Sequence, residues 1–221
     1  MSTYFHQHVD GSPFDLQVGK AICVGRNYVD HAKEMGNQVP DEPMLFMKPS
    51  GAFVSLADDV RLPSFSEDVH HEVELAVLIG EALTNATAEQ ALAAIVACGV
   101  AIDLTARDVQ AAAKKKGHPW EKAKAFDGAC PLSSFVDIAA FPDLQDVDLS
   151  LTVNGDVRQH GNTCDMVFPT ADLIAHASAY FSILPGDVVL TGTPAGVGPL
   201  LAGDVLLVEL GPDHRFNTRV V

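Results

Sequence analysis

The sequence predicts an α+β fold in which strands dominate and helices cover a sheet, and three observations carry that reading. Strand-like segments bounded by turn residues recur along the chain, at 20–24, 72–79, 149–153, 188–191 and 205–210. Two other segments carry helix signals. Thr87 and Gln90 form a capping-box pattern, and a second helix is expected from about 170 to 182, ending before the breaker pair Pro185-Gly186. Thirdly, Asn154-Gly155 separates 149–153 from 157–159. Both residues tolerate positive φ, so the pair predicts a tight hairpin and antiparallel pairing. The stretches LPGDV at 184–188 and LAGDV at 201–205 look alike, but each is more simply a tight turn feeding a strand than half of a duplication. Residues 117–131 are turn-rich and charged yet hold Trp120 and Phe126, which predicts an ordered loop and no domain boundary.

With 221 residues and 48% hydrophobic content, the chain can bury one sizeable core, so a single domain over 1–221 is expected, with 1–18 as a lead-in. The formal net charge of −15 disfavours nucleic acid and anionic membrane surfaces as partners, because long-range repulsion opposes the encounter. A small anionic substrate then needs local cations or a metal. Residues 1–16 have neither a basic start nor a continuous apolar stretch, which argues against a signal peptide and for a cytoplasmic protein. The longest uncharged apolar run, 91–102, is too short to cross a bilayer and fits a buried element. Cys23, Cys98, Cys130 and Cys164 lie far apart without a CxxC pair, the pattern of buried reduced thiols.

In His70-His71-Glu72-Val73-Glu74-Leu75, strand alternation puts Glu72 and Glu74 on one face of an otherwise apolar segment. Taken alone, a strand end facing water at alternate residues is the simpler explanation. A zinc-protease HExxH helix is excluded, since Leu75 stands where its second His belongs. Asp103 lies in the apolar run 100–105, where an ionised group needs a partner or a cation. Pairing with Arg107, or capping a following helix, would meet that need. Three clustered carboxylates repel strongly, and a divalent cation explains Glu72, Glu74 and Asp103 at once. Oxygen-only ligation selects Mg²⁺ or Mn²⁺ over zinc.

The segment VGRNYVDHAKEMG at 24–36 follows an apolar strand and can form a short helix ending at Gly36. His31 and Glu34 then share a face, where the carboxylate can orient the imidazole and raise its basicity as a general base. A surface pair without function is the commoner use of this spacing. Arg26, Lys48, Arg107 and Lys124 are the cations to consider for a substrate carboxylate, whereas Lys114-Lys115-Lys116 reads as a solvated charge run. The glycine-rich stretch 190–199 is not a nucleotide loop. No Lys-Ser/Thr follows it, and Pro199 with the next turn leaves no room for a phosphate-binding helix. It reads either as a close-approach loop lining a site, with the Thr193 hydroxyl available to a ligand, or as a structural turn.

Taken together, VGRNYVDHAKEMG, PMLFMKPS, HHEVELAVLIG, IDLTARDVQ, PWEKAKAFD and LTGTPAGVGPL occur in the order of the fumarylacetoacetate hydrolase family. The chain resembles the short members that lack an extra N-terminal domain, a branch of acylpyruvases, fumarylpyruvate hydrolases and oxaloacetate decarboxylases. The resemblance implies a mixed, mostly antiparallel β-roll with peripheral helices, usually as a homodimer. It implies that Glu72, Glu74 and Asp103 are the metal ligands, and that His31 and Glu34 are a water-activating pair on a lid that orders over the ligand. It also matches Lys124 to the lysine of the family's Lys-x-Phe-Asp segment, and places Arg26, Gln110 and Thr193 along the substrate site.

The expected activity is cleavage of a carbon–carbon bond in an acylpyruvate-type 2,4-dioxo acid such as acetylpyruvate or fumarylpyruvate. His31 would deprotonate a water that attacks the distal carbonyl, Lys124 would hold the developing oxyanion, and pyruvate would leave as an enolate. Oxaloacetate could lose CO₂ through the same enolate. The alternative is an isomerase or tautomerase, in which the enolate is merely reprotonated elsewhere. A metal-stabilised binding module without turnover is the reading from a different class.

Overall fold

The computed structural model describes residues 4–221. Alternation along the strand Val73–Ile79 sorts its side chains between two cores: Val73, Leu75, Val77 and Ile79 enter the larger, Ala76 and Leu78 the smaller. This strand is fully buried because it sits in the middle of the main sheet. The order there is Met44–Lys48, Ala21–Gly25, Val188–Leu190, Val73–Ile79, Ile95–Ile102, Cys130–Leu132 and Phe53–Ser55, with Val136–Asp137 also paired to Ile95–Ile102. Ala21–Gly25 runs parallel to Val188–Leu190, as does Phe53–Ser55 to Cys130–Leu132, and the other pairs are antiparallel.

A second, wholly antiparallel sheet of Asp156–Asn162, Asp148–Val153, Val205–Leu210 and His214–Arg219 closes the larger core with Leu149, Leu151, Leu206 and Val208. Three short strands, Gly198–Pro199, Val69–His71 and Thr105–Ala106, form a third sheet. The fold is thus the mixed, mostly antiparallel arrangement with few helices that the resemblance implied.

The helices are α1 (Val29–Glu34), α2 (Ala88–Ala93), α3 (Arg107–Lys116), α4 (Glu121–Lys124) and α5 (Thr170–Tyr180). The capping box before α2 forms as read from the sequence. Thr87 Oγ1 accepts from the Gln90 amide at 3.2 Å, and Gln90 Oε1 accepts from the Thr87 amide at 2.9 Å. Ala91 of α2 and Ile174 and Ala177 of α5 pack into the larger core, so these helices cover a sheet. Asn154 (φ 53°) and Gly155 (φ 88°) make the two-residue hairpin turn, with Val153 opposite Asp156. The two similar turns are also equivalent in detail, since the Leu184 and Leu201 amides each donate to the following aspartate, Asp187 and Asp204, at 2.8 Å.

Several expectations need correction. Residues 117–131 are not simply a loop: the Trp120 carbonyl accepts the amides of Ala123 at 2.8 Å and Lys124 at 3.0 Å, starting α4, and Cys130–Leu132 is a strand. The apolar run 91–102 divides between the end of α2 and the strand Ile95–Ile102. Cys164 is exposed while Cys23, Cys98 and Cys130 are buried, and all four are free. Glu72 falls in the break between Val69–His71 and Val73–Ile79, one residue before the main-sheet strand begins. Among the described residues, no helix is long and apolar enough to cross a membrane.

Candidate metal centre and active cleft

Strand register brings the acidic residues together. Val73 pairs with Ile102, so Glu72 and Asp103 lie opposite one another just beyond the paired residues, and the Asp103 amide donates to the Glu72 carbonyl at 2.8 Å. Glu74, two positions along, projects to the same side. One oxygen from each of the three lies within 4.8 Å of the others, and all three residues are buried.

Side-chain cations compensate two of them. Lys124 Nζ donates to Glu72 Oε2 at 2.8 Å and to Asp103 Oδ2 at 2.6 Å. Arg107 donates to the other oxygen of Glu72 and to Gln110 Oε1, the latter at 2.9 Å. Lys48, 0% exposed, places Nζ 2.7 Å from Asp103 Oδ1 and donates to the carbonyls of Ala129, at 3.0 Å, and Lys124.

Three sequence expectations change here. Lys48 is fully buried outside the cleft lining, so it supports Asp103 from behind and does not meet a substrate. Asp103 neither pairs with Arg107 nor caps α3, whose N-cap is Ala106; its partners are the two lysines. The repulsion among the carboxylates is relieved partly by these cations, not by a metal alone.

Glu74 is the exception. Among the described residues no cation lies within ion-pair distance of it, and its one hydrogen bond comes from the Gly192 amide at 2.7 Å. Burial, reinforced by Asp103 and Glu72, pushes its pKa well above the ordinary range. Glu72 is buried as well, but Lys124 and Arg107 overcome that cost and hold it well below the usual carboxylate range. A buried carboxyl without a counter-ion beside two compensated ones fits a divalent cation, and the all-oxygen donor set fits Mg²⁺ or Mn²⁺. Glu72, Glu74 and Asp103 are the residues that would hold it.

The polar segment after Gly25 forms α1, closed by Gly36 at φ 64° with the Asn37 amide on the Ala32 carbonyl at 2.8 Å. His31, 7% exposed, lies with Nδ1 3.3 Å from Glu34 Oε2. Burial lowers the His31 pKa, with Glu72 and Glu34 opposing, so the imidazole is neutral at pH 7.

Glu34 is itself held by the Gly196 amide, at 3.1 and 3.2 Å to its two oxygens. The glycine-rich loop therefore grips the His31–Glu34 pair with one amide and Glu74 with another. A Cβ on Gly196, where φ is 97°, would meet the Arg158 carbonyl oxygen at 2.0 Å. A Gly196→Ala variant is accordingly expected to lose at least about 1–3 kcal/mol from backbone strain; thermal melting checks this, and an unchanged midpoint contradicts the close approach.

Thr193 lines the cleft, but its hydroxyl is already engaged, donating to the Val73 carbonyl at 2.8 Å and accepting from Gln159 at 2.7 Å. Gln159 escaped notice in the sequence. Its Oε1 takes the Val73 amide at 3.0 Å and pairs with His71 Nδ1 at 2.8 Å, while Nε2 also reaches the Pro194 carbonyl at 2.9 Å. It thereby fixes the peptide between Glu72 and Glu74.

The cleft has about 40 Å³ of open space, and Arg26, His31, Arg107, Gln110, Lys114 and Lys124 all line it. Lys114 is exposed, as the lysine run predicts, but it also reaches the cleft. Its Nζ sits 5.0 Å from the centroid of the Trp120 ring, and its pKa is lowered by partial burial and then by Arg107 and Arg26. The missed signal was helical spacing, since Arg107, Gln110 and Lys114 fall at i, i+3 and i+7 on one face of α3. Arg107 and Lys124 are spent on carboxylates, whereas Arg26 and Lys114 have no acidic partner among the described residues. Arg26 also takes a left-handed φ of 61° at the cleft, an uncommon conformation for a side-chain-bearing residue.

A curled, mostly antiparallel fold with a buried carboxylate triad and a histidine–glutamate pair beside a cation-rich cleft is an enzyme-type arrangement. Residues 20–221 match the family model described as fumarylacetoacetate (FAA) hydrolase C-terminal, and the chain belongs to that family. It is 53% identical over 219 residues to oxaloacetate tautomerase YcgM of Escherichia coli (strain K12), covering 99% of this chain and 100% of the relative. It is 45% identical over 201 residues to the mitochondrial oxaloacetate tautomerase FAHD1 of Mus musculus, covering 90% and 89%. Among solved structures, fumarylpyruvate hydrolase from Pseudomonas aeruginosa in complex with Mn²⁺ and pyruvate superposes with a TM-score of 0.91 at 32% identity, covering 100% of this chain and 97% of that one.

Proposed function

We propose that this chain is a tautomerase of a small 2-oxo dicarboxylate, with oxaloacetate as substrate and Mg²⁺ or Mn²⁺ as cofactor. The observation that carries the reading is the pair of cations without acidic partners, Arg26 and Lys114, lining one small cleft together with Glu72 and Glu74 of the triad. In a chain of net charge −15, two uncompensated cations at one cleft suit a ligand with a second carboxylate. The names of the 53% and 45% identical relatives point the same way. Tautomerisation, second to hydrolysis in the sequence reading, therefore moves to first place.

When bound, the cation supplies Lewis acidity to the 2-oxo group. His31, neutral and oriented by Glu34, takes a proton from C3; the C–H electron pair becomes the C2–C3 double bond, and the carbonyl π pair moves to the 2-oxygen. Lys124, with two N–H groups on Glu72 and Asp103 and a third left over, can donate to that oxygen. Arg26 and Lys114 hold the distal carboxylate. Protonation of the 2-oxygen completes the enol. In the other direction the enol O–H gives up its proton, the oxygen pair re-forms the C2 carbonyl and the C2–C3 π pair takes a proton at C3, so the keto form results and no bond between carbons breaks.

Hydrolysis of an acylpyruvate is the second reading, favoured by the same His31–Glu34 pair acting on water and by the likeness to the P. aeruginosa hydrolase. The two are separated by following the enol absorbance of oxaloacetate beside pyruvate release from acetylpyruvate, both with Mg²⁺. Tautomerisation is expected to dominate and to fall roughly 10²–10⁴-fold in His31→Ala, as for loss of a general base. Because the His31 pKa is lowered, the acid limb of the rate is expected at lower pH than for an ordinary imidazole. Faster pyruvate release from acetylpyruvate than enol conversion would overturn the tautomerase reading.

A further inference from the structure

Beyond the cleft lies a second, larger space with no role so far. It is an open groove of about 310 Å³, against about 40 Å³ for the cleft, and it shares Met44, Phe46, Trp120 and Lys124 with it. The rest of its lining sets the apolar Leu45 and Pro119 beside His118 and Glu121. The shared wall consists chiefly of two aromatic rings, Phe46 and Trp120, whose centroids are 6.2 Å apart at 59°. Each ring also carries a lysine of the cleft: Lys124 Nζ is 5.1 Å from Phe46 and Lys114 Nζ is 5.0 Å from Trp120. The two rings differ in how they are held. Phe46 lies within a strand paired to Ala21–Gly25, opposite Cys23, whereas Trp120 precedes α4, on a connection outside the sheets.

We propose that Trp120 is the specificity-determining partition of this site, confining the cleft to short, charged 2-oxo acids, and that the groove behind it takes the alkyl tail of a longer 2-oxo acid once the indole is removed. The occupant follows from continuity. A ligand whose 2-oxo-carboxylate head lies at the triad reaches the adjoining groove by extending past Trp120, towards Leu45 and Pro119. An indole at that point blocks the path of the tail and seats Lys114 for a carboxylate, so one residue both excludes the apolar substituent and favours the charged one. Truncation reverses both preferences.

The inference rests on the reading that the cleft takes a 2-oxo acid, and the test separates the two. Pyruvate, which is the head alone, and 2-oxooctanoate, the same head with an alkyl tail, are titrated calorimetrically into the Mg²⁺-loaded wild type and Trp120→Ala. Binding is measured, so turnover is not required. Pyruvate is expected to bind both proteins alike, while 2-oxooctanoate binds Trp120→Ala at least about tenfold more tightly than the wild type, the gain from burying roughly two methylenes. If pyruvate binds both and the tail brings no gain, the partition is overturned. If pyruvate binds neither, the 2-oxo acid reading itself fails, and the inference with it. Should Trp120→Ala alone lose pyruvate, Trp120→Leu repeats the comparison with a side chain that fills more of the wall, and the absence of a tail gain there is equally decisive against it.

Discussion

A Glu74→Gln variant is expected to lose metal-supported turnover by on the order of 10³-fold, the loss of several kcal/mol of Lewis-acid stabilisation, while its metal-free form melts no lower than the wild type. The two outcomes have one cause. Glu74 is 1% exposed without a cation partner, so the fold bears the cost of its burial, and the isosteric amide keeps an acceptor for the Gly192 amide without any charge. The pH dependence fixes the sign. Folding raises the Glu74 pKa, so the native state holds a proton that the unfolded chain releases. Stability of the metal-free wild type therefore declines as pH rises above the unfolded value, and that decline is absent in Glu74→Gln. Metal must displace the same proton, so wild-type affinity increases with pH across that window. Calorimetric metal titration at several pH values, with thermal melts beside it, measures both; tight pH-independent binding by the variant would remove Glu74 from the centre.

Lys48→Met is expected to do the opposite, destabilising the metal-free protein by about 3–5 kcal/mol, the usual cost of removing one partner of a buried ion pair. Asp103 would keep only Lys124, and the carbonyls of Ala129 and Lys124 would lose a buried donor. Because Lys48 does not line the cleft, any activity in the folded fraction should retain its substrate preference. Denaturant unfolding without metal gives the energy, and a loss below about 1 kcal/mol, the scale of an exposed pair, would mean that this lysine is not buried against Asp103 as described.

The contrast between these residues shows what could be read in advance. Strand alternation marks Glu72 and Glu74, and an isolated charge in an apolar run marks Asp103, because both signals are local; each alone has a simpler structural explanation, and only the three together point to a cation. The Asn154-Gly155 hairpin and the Thr87 cap are local in the same sense, and both form as read. Lys48 looked like the other candidate cations, since nothing nearby in sequence shows that its ammonium meets Asp103 and the Lys124 carbonyl, 76 residues away. Gln159 was hidden for the same reason, its partners lying on Val73 and Thr193. Lys114 was different: the helical spacing from Arg107 was available, but a run of three lysines reads as solvent-facing unless α3 is recognised first. Thr193 does line the cleft, but only hydrogen-bond geometry reveals that its proton is taken.

The glycine loop divides the cleft by the kind of chemistry that builds each wall. On one side Glu74 and Glu34 are gripped by the peptide N–H groups of Gly192 and Gly196, donors that last only as long as the loop keeps its backbone shape. The part of the lining contributed by Phe46, Lys114 and Trp120 depends instead on side chains, which can be rewritten one codon at a time. Such a site is built to diverge unevenly: inheritance of the reaction is tied to backbone shape, while the choice of what reacts is left to residues that drift can sample without dismantling it.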